Sequence, residues 1–117
     1  MAGLKDVVKD LLGREGVQAV VVLSADGLAI EQASRDSVDV DSLAALTASV
    51  VQYATRLGLG ANAGGLRTAV LEYERALLVI AQIGTGESLA IMAAPSTDLG
   101  PLLYDLRQHR PALAALF

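Results

Sequence analysis

The segment from Asp41 to Gly60 constrains this chain more than any other, because between Leu43 and Leu59 it carries one ionised side chain, Arg56. A helix lying on a single core shows one apolar stripe and a broad charged face. Here apolar or small residues run round well over half the circumference, so the segment is expected to pack against more than one surface. At roughly 17 residues, with Thr47, Ser49, Gln52, Thr55 and Arg56 inside it, it makes a poor membrane span. A helix shared between its own sheet and a second copy of the chain is the simplest reading.

The composition supports a shared surface. A length of 117 residues fits one domain with a real core, residues 1–117. Hydrophobic residues make up 53% and charged residues only 19%, which leaves less polar cover than a monomer normally carries. Aromatics are 3%, so Leu, Val, Ile and Ala must fill the core. A net charge of -4 and a pI near 4.7, with basic residues scattered singly, argue against nucleic acid. The absence of cysteine suits the cytoplasm and removes thiolate metal sites. Lys5, Asp6, Lys9 and Asp10 make Met1 to Leu12 unlike a secretory signal. No membrane insertion is expected.

The order of elements follows from periodicity and punctuation. Leu4, Val7, Val8, Leu11 and Leu12 share one face of a first helix, Ala2 to Gly13. Val17 to Leu23 reads as a central strand, apolar on both sides in its later part. Ser24-Ala25-Asp26-Gly27 supplies a hairpin turn into a more polar edge strand, Leu28 to Ala33. After a polar connector, Ser34 to Val40, Asp39 or Asp41 caps the long second helix. That helix stops at Gly58-Leu59-Gly60, and a loop leads to three strands, Leu66 to Tyr73, Leu77 to Ile83 and Ser88 to Ala94. Pro95 ends the last strand. Ser96, Thr97 or Asp98 caps a third helix, which Pro111 is expected to kink or interrupt. The predicted fold is α+β, a single α-β-β-α-β-β-β-α domain with a five-stranded antiparallel sheet and helices on both faces.

This order resembles the Roadblock/dynein light chain family, most closely its short bacterial MglB-like members. The likeness rests on Val20-Val21-Val22-Leu23-Ser24-Ala25-Asp26-Gly27-Leu28 and on the small-residue stretch Leu43-Ala44-Ala45-Leu46. It continues in Gly84, Leu89-Ala90-Ile91, Leu99-Gly100 and Leu102-Leu103-Tyr104-Asp105-Leu106-Arg107. The resemblance implies a homodimer that regulates or scaffolds a small Ras-like GTPase in motility or polarity. It implies no catalysis of its own and no cofactor; any effect on GTP hydrolysis would act through the partner's catalytic residues. An architectural adaptor that leaves nucleotide turnover alone, and a small-molecule sensor, are the alternatives.

A helical projection divides the second helix into three arcs. Leu43, Leu46, Val50, Ala54 and Leu57 are expected on the sheet. Ala44, Thr47, Ala48, Val51 and Thr55 are small enough to admit a second helix closely, and form the expected dimer face. The resemblance adds pairing of the third strands across the two-fold, through Ala69, Val70, Leu71 and Tyr73. Ser42, Ala45, Ser49, Gln52 and Arg56 form the remaining polar arc, the expected GTPase-docking surface. Arg56 reaches poorly from mid-helix into another protein's phosphate site, so an arginine-finger role is disfavoured.

No catalytic or metal set is predicted. Gly58 to Gly65 looks like a phosphate loop, yet it follows a helix, precedes a strand and lacks the terminal Lys-Ser/Thr. His109 is the one histidine and is expected at the solvent-exposed end of a helix. Ser24 and Asp26 are better explained by the turn than by a triad with His109. Glu72, Glu74 and Glu87 fall at strand ends and turns, where solvation suffices. Tyr53 and Tyr73 sit where a partner seam could run; Tyr104, like both of them, can bury its ring and keep its hydroxyl wet.

Overall fold

The computed structural model describes residues 3–35 and 38–117. The start of the first helix at Ala2 and the middle of the polar connector, residues 36–37, lie outside the described residues. The elements are α1 (Leu4–Leu12), β1 (Val17–Leu23), β2 (Ala29–Ser34), α2 (Val40–Gly60), β3 (Thr68–Glu72), β4 (Leu77–Gln82), β5 (Ser88–Ala93) and α3 (Gly100–Ala114). The five strands form one antiparallel sheet in the order β2-β1-β5-β4-β3. This is the predicted α+β architecture, with the two halves joined through β1 and β5.

Strand parity sorts the core into two layers. Val20 and Val22 of β1, Val79 of β4, and Leu89 and Ile91 of β5 meet Val8 of α1 and Leu102, Leu106 and Leu113 of α3. On the other face Val21, Leu23, Leu78, Ile80 and Ala90 meet Val40, Ala44 and Ala48 of α2. β1 is therefore buried on both sides, as its unbroken apolar run requires. β2 alternates half-buried and exposed residues, the pattern of an edge strand with one wet face.

The turn Ser24 to Gly27 sets how close α2 can come. Gly27 has φ +83°, a left-handed conformation that favours glycine, and its amide donates to the Ser24 carbonyl at 2.9 Å. A Cβ at Gly27 would lie 3.1 Å from Ala45 Cα and 3.2 Å from Ala48 Cβ. The small residues of α2 thus answer to the turn and the sheet beneath.

The structure chooses between the two caps expected for α2 and departs from expectation at α3. Asp39, not Asp41, caps α2: its carboxylate accepts from the Ser42 amide at 3.1 Å and the Ser42 hydroxyl at 2.8 Å. α3 has no side-chain cap at its start; Asp98 accepts from the Gly100 amide at 3.0 Å, and Pro101 occupies the first turn. Pro111 does not interrupt α3, which runs through it to Ala114. Its ring deletes one helix hydrogen bond, to the Arg107 carbonyl, on a side of the helix where both residues are exposed. Water can serve that carbonyl, and Leu113 remains buried beyond it.

Candidate functional site

The faces of α2 are the main correction to the sequence reading. Ala44, Thr47 and Ala48, expected against a twin, are 0%, 2% and 8% exposed within their own chain. They cannot offer surface to a second molecule. Val51 and Thr55 from the same arc are half-buried. Conversely, Leu46 and Leu57, expected on the sheet, are 67% and 74% exposed. Leu43, Val50 and Ala54 of that arc are half-buried. The physical reason is distance: the glycine turn and the twisted sheet press close against α2, so the alanines fit beneath it and the leucines are turned outward.

Leu43, Leu46, Val50, Tyr53 and Leu57 recur at intervals of three and four, the spacing of a helix–helix seam. Tyr53 is 68% exposed, so three large side chains of this seam face outward. Its half-buried members, Leu43 and Val50, pack on the core layer that also holds Ala69 and Leu71 of β3. β3 is one of the two edge strands, and among the described residues it pairs with β4. Along it Val70 is 45% exposed, and just beyond it Tyr73 is 55% exposed. Val70 pairs with Val79 and so faces the α1/α3 side of that edge, while Leu46, Tyr53 and Leu57 stand open on the α2 side; monomers rarely leave apolar groups so clustered without cover. The 3-4 spacing was legible in the sequence; which side of the helix would be left without cover was not.

Ser42, Ala45, Ser49, Gln52 and Arg56 are all exposed, next to that seam. The Arg56 guanidinium lies over the Tyr53 ring at 5.4 Å, a contact worth about 0.5–1 kcal/mol at an exposed site. At the start of the helix, hydrogen bonds from the Ser42 hydroxyl and amide hold the Asp39 carboxyl below its ordinary value.

The start of β3 is held from α3. Arg110 donates to the Thr68 hydroxyl at 2.9 Å, to the Arg67 carbonyl at 3.3 Å, and to the Gln82 carbonyl. One guanidinium therefore ties the edge strand, the end of β4 and the third helix together.

The other predicted positions fall apart in space. Gly58 to Gly65 forms a helix-to-strand connector, closed by the Ala63 amide donating to the Gly58 carbonyl at 2.7 Å. Ser24 is occupied by its turn, its hydroxyl accepting from the Leu28 amide at 3.2 Å. His109 is exposed on α3 and lines a trough of about 630 Å³ between α1 and α3, near the Arg14–Asp105 ion pair. Tyr104 is also exposed on α3. Glu72 and Glu74 are exposed, whereas Glu87 turns one carboxylate oxygen into the interior, where it has no hydrogen-bond partner. Among the described residues no group of three or more His, Cys, Asp or Glu could hold a metal, and no helix is long and apolar enough to cross a membrane.

Comparison with known proteins agrees with this geometry. A Roadblock/LC7 domain from Streptomyces avermitilis is 27% identical, with a TM-score of 0.82 over 96% of this chain and 98% of that one. MglB from Myxococcus xanthus superposes with a TM-score of 0.87 at 21% identity, covering 97% and 93% of the two chains. The gliding protein MglB from Thermus thermophilus gives 0.84 at 18% identity, covering 99% and 93%. No curated protein matches the chain. The family model for the Roadblock/LC7 domain matches residues 3–93, which includes α1, α2 and the whole sheet. The chain belongs to the Roadblock/LC7 domain family.

Proposed function

We propose that this protein is a homodimeric docking module that binds a small Ras-like GTPase and regulates or scaffolds it, without chemistry of its own. The observation that carries the reading is the outward seam of α2 beside the free edge of β3. Two copies related by a two-fold axis would bury Leu46, Tyr53 and Leu57 against each other and pair β3 with its twin through Ala69, Val70 and Leu71, with Tyr73 alongside. Val51 and Thr55 lie on the flank turned away from that contact and would not join it. Four leucines buried this way contribute about 6–12 kcal/mol, against roughly 4–15 kcal/mol lost on association. The helices alone are marginal, so the strand ladder is needed to hold the pair together.

The paired helices would then present Ser42, Ala45, Ser49, Gln52 and Arg56 twice, as a nearly neutral platform for the GTPase. Similarity to MglB structures supports this platform through the shared fold. Sedimentation at micromolar concentration should give twice the chain mass, and Leu46→Glu with Leu57→Glu should give a folded monomer. Reversing charge with Gln52→Glu and Arg56→Glu should remove GTPase binding and keep the dimer. A wild-type monomer would defeat the dimer reading, and unchanged GTPase binding by the second variant would move the platform elsewhere. GTP turnover measured with and without the protein separates a regulator from an architectural adaptor.

A further inference from the structure

A second cavity of about 330 Å³ lies on the flank of α2 turned away from the leucine seam, under the helix and against the two turns at one end of the sheet. Its size falls at the lower end of small-molecule sites. What distinguishes it is its lining. Ser24, Gln52, Thr55, Arg56, Gln82 and Ser88 bring hydroxyls, amides and one cation to a single hollow. Among the described residues, none of the side chains lining it is acidic. Ala25, Ala48 and Val51 supply a short apolar wall.

Ser88 is the telling residue. It sits on the sheet face that α2 covers, in register with Gln82, where the next inward residues, Ala90 and Ile80, are wholly buried and apolar. Ser88 itself is 2% exposed, a position that packing alone would fill with valine or alanine. Gln82 Nε2 donates to its hydroxyl at 2.8 Å, so Ser88 keeps its own proton to donate. Ser24 is in the same state: its oxygen accepts from the Leu28 amide, and its proton is free. The acidic residue of the neighbouring turn, Glu87, is turned towards Gly84 and Phe117. Polar donors left over at the base, a cation at the rim and an apolar side wall describe a receptor for a short acid.

We propose that this cavity binds the carboxylate of a small aliphatic acid, with Ser24 and Ser88 donating to the carboxylate and Arg56 closing over it from the rim. Arg56 reaches that position by giving up its weak contact with Tyr53. The short hydrocarbon body lies against Ala25, Ala48 and Val51. The site shares Gln52 and Arg56 with the proposed GTPase platform, but acid binding by the chain alone does not rest on that reading, and the site stays open when the leucine seam is covered.

Titrating the full chain with butyrate, followed by amide NMR, tests the assignment, with sodium phosphate and n-butanol as parallel arms. Butyrate should give saturable shifts centred on Ser24, Thr55 and Ser88, with a dissociation constant on the order of 1 mM. Butanol should give none, because it lacks the charge. Arg56→Ala should weaken butyrate about tenfold, and Ser88→Ala, a change the buried site can accept without a clash, should weaken it independently. Phosphate shifts equal to those of butyrate would mean a general anion effect and overturn the proposal. Shifts that fail to saturate, or that survive both substitutions, would overturn it equally.

Discussion

Replacing Gly27 by alanine tests the close approach that turns the leucines of α2 outward. At φ +83° a residue with a Cβ costs about 1–2 kcal/mol in backbone strain. The new methyl would also sit 3.1 Å from Ala45 Cα and 3.2 Å from Ala48 Cβ. The first of these is helix backbone and the second a buried side chain, so either α2 lifts or the turn opens. Overpacking of this kind costs about 1–3 kcal/mol, which brings the expected loss to about 2–5 kcal/mol. Gly60 is the control. It ends the same helix with nothing within 4 Å of an added Cβ and no positive φ, so Gly60→Ala should gain about 0.4–1 kcal/mol by restricting the unfolded chain. Urea unfolding by circular dichroism, at one fixed protein concentration because association adds to stability, would read both. With a denaturant slope of about 1–3 kcal/mol per molar, Gly27→Ala should lower the midpoint by roughly 0.7–5 M. A Gly27→Ala variant within about 0.5 kcal/mol of wild type, the range of an indifferent surface change, would refute the argument.

Other consequences can be measured separately. Asp39 titrates below its ordinary value of 3.8 in the folded chain, so its contribution is present above that pH and disappears as pH falls through the lower folded value. Asp39→Asn keeps an acceptor for Ser42 but cannot titrate, and thermal melts should show a smaller loss of stability on acidification than wild type. An identical acid dependence would mean that Asp39 does not contribute to it. Arg110→Ala should cost about 1.5–3 kcal/mol, as expected for charge-assisted hydrogen bonds. It should also speed hydrogen exchange at the Gln82 amide, whose acceptor, the Arg67 carbonyl, Arg110 also holds. Unchanged exchange there would show that β3 is held without the guanidinium.

Much of this molecule was written in local chemistry. The β-branched run of β1, the Asp-Gly turn, the leucine spacing of α1 and the punctuation of the β3–β4–β5 meander each act over a few residues. Their order was therefore readable one segment at a time, and the resemblance to the family followed from that order. The arcs of α2 were readable too: Leu43, Leu46, Val50, Ala54 and Leu57 do lie together, and so do Ala44, Thr47 and Ala48.

Only the tertiary structure decided which arc meets the sheet. Amphipathicity assigns the bulkiest arc to the core by default, yet Gly27 and the strands beneath leave α2 too little room for leucine. That contact joins residues far apart along the chain, and periodicity within α2 carries no record of it. The same holds for Arg110, which reaches from α3 to the carbonyls of Arg67 and Gln82, and for Gln82 and Ser88, ordinary strand residues until the fold sets them under a helix. Sequence fixes the spacing of side chains along an element; the distance between elements, which selects the buried face, is a property of the packed whole.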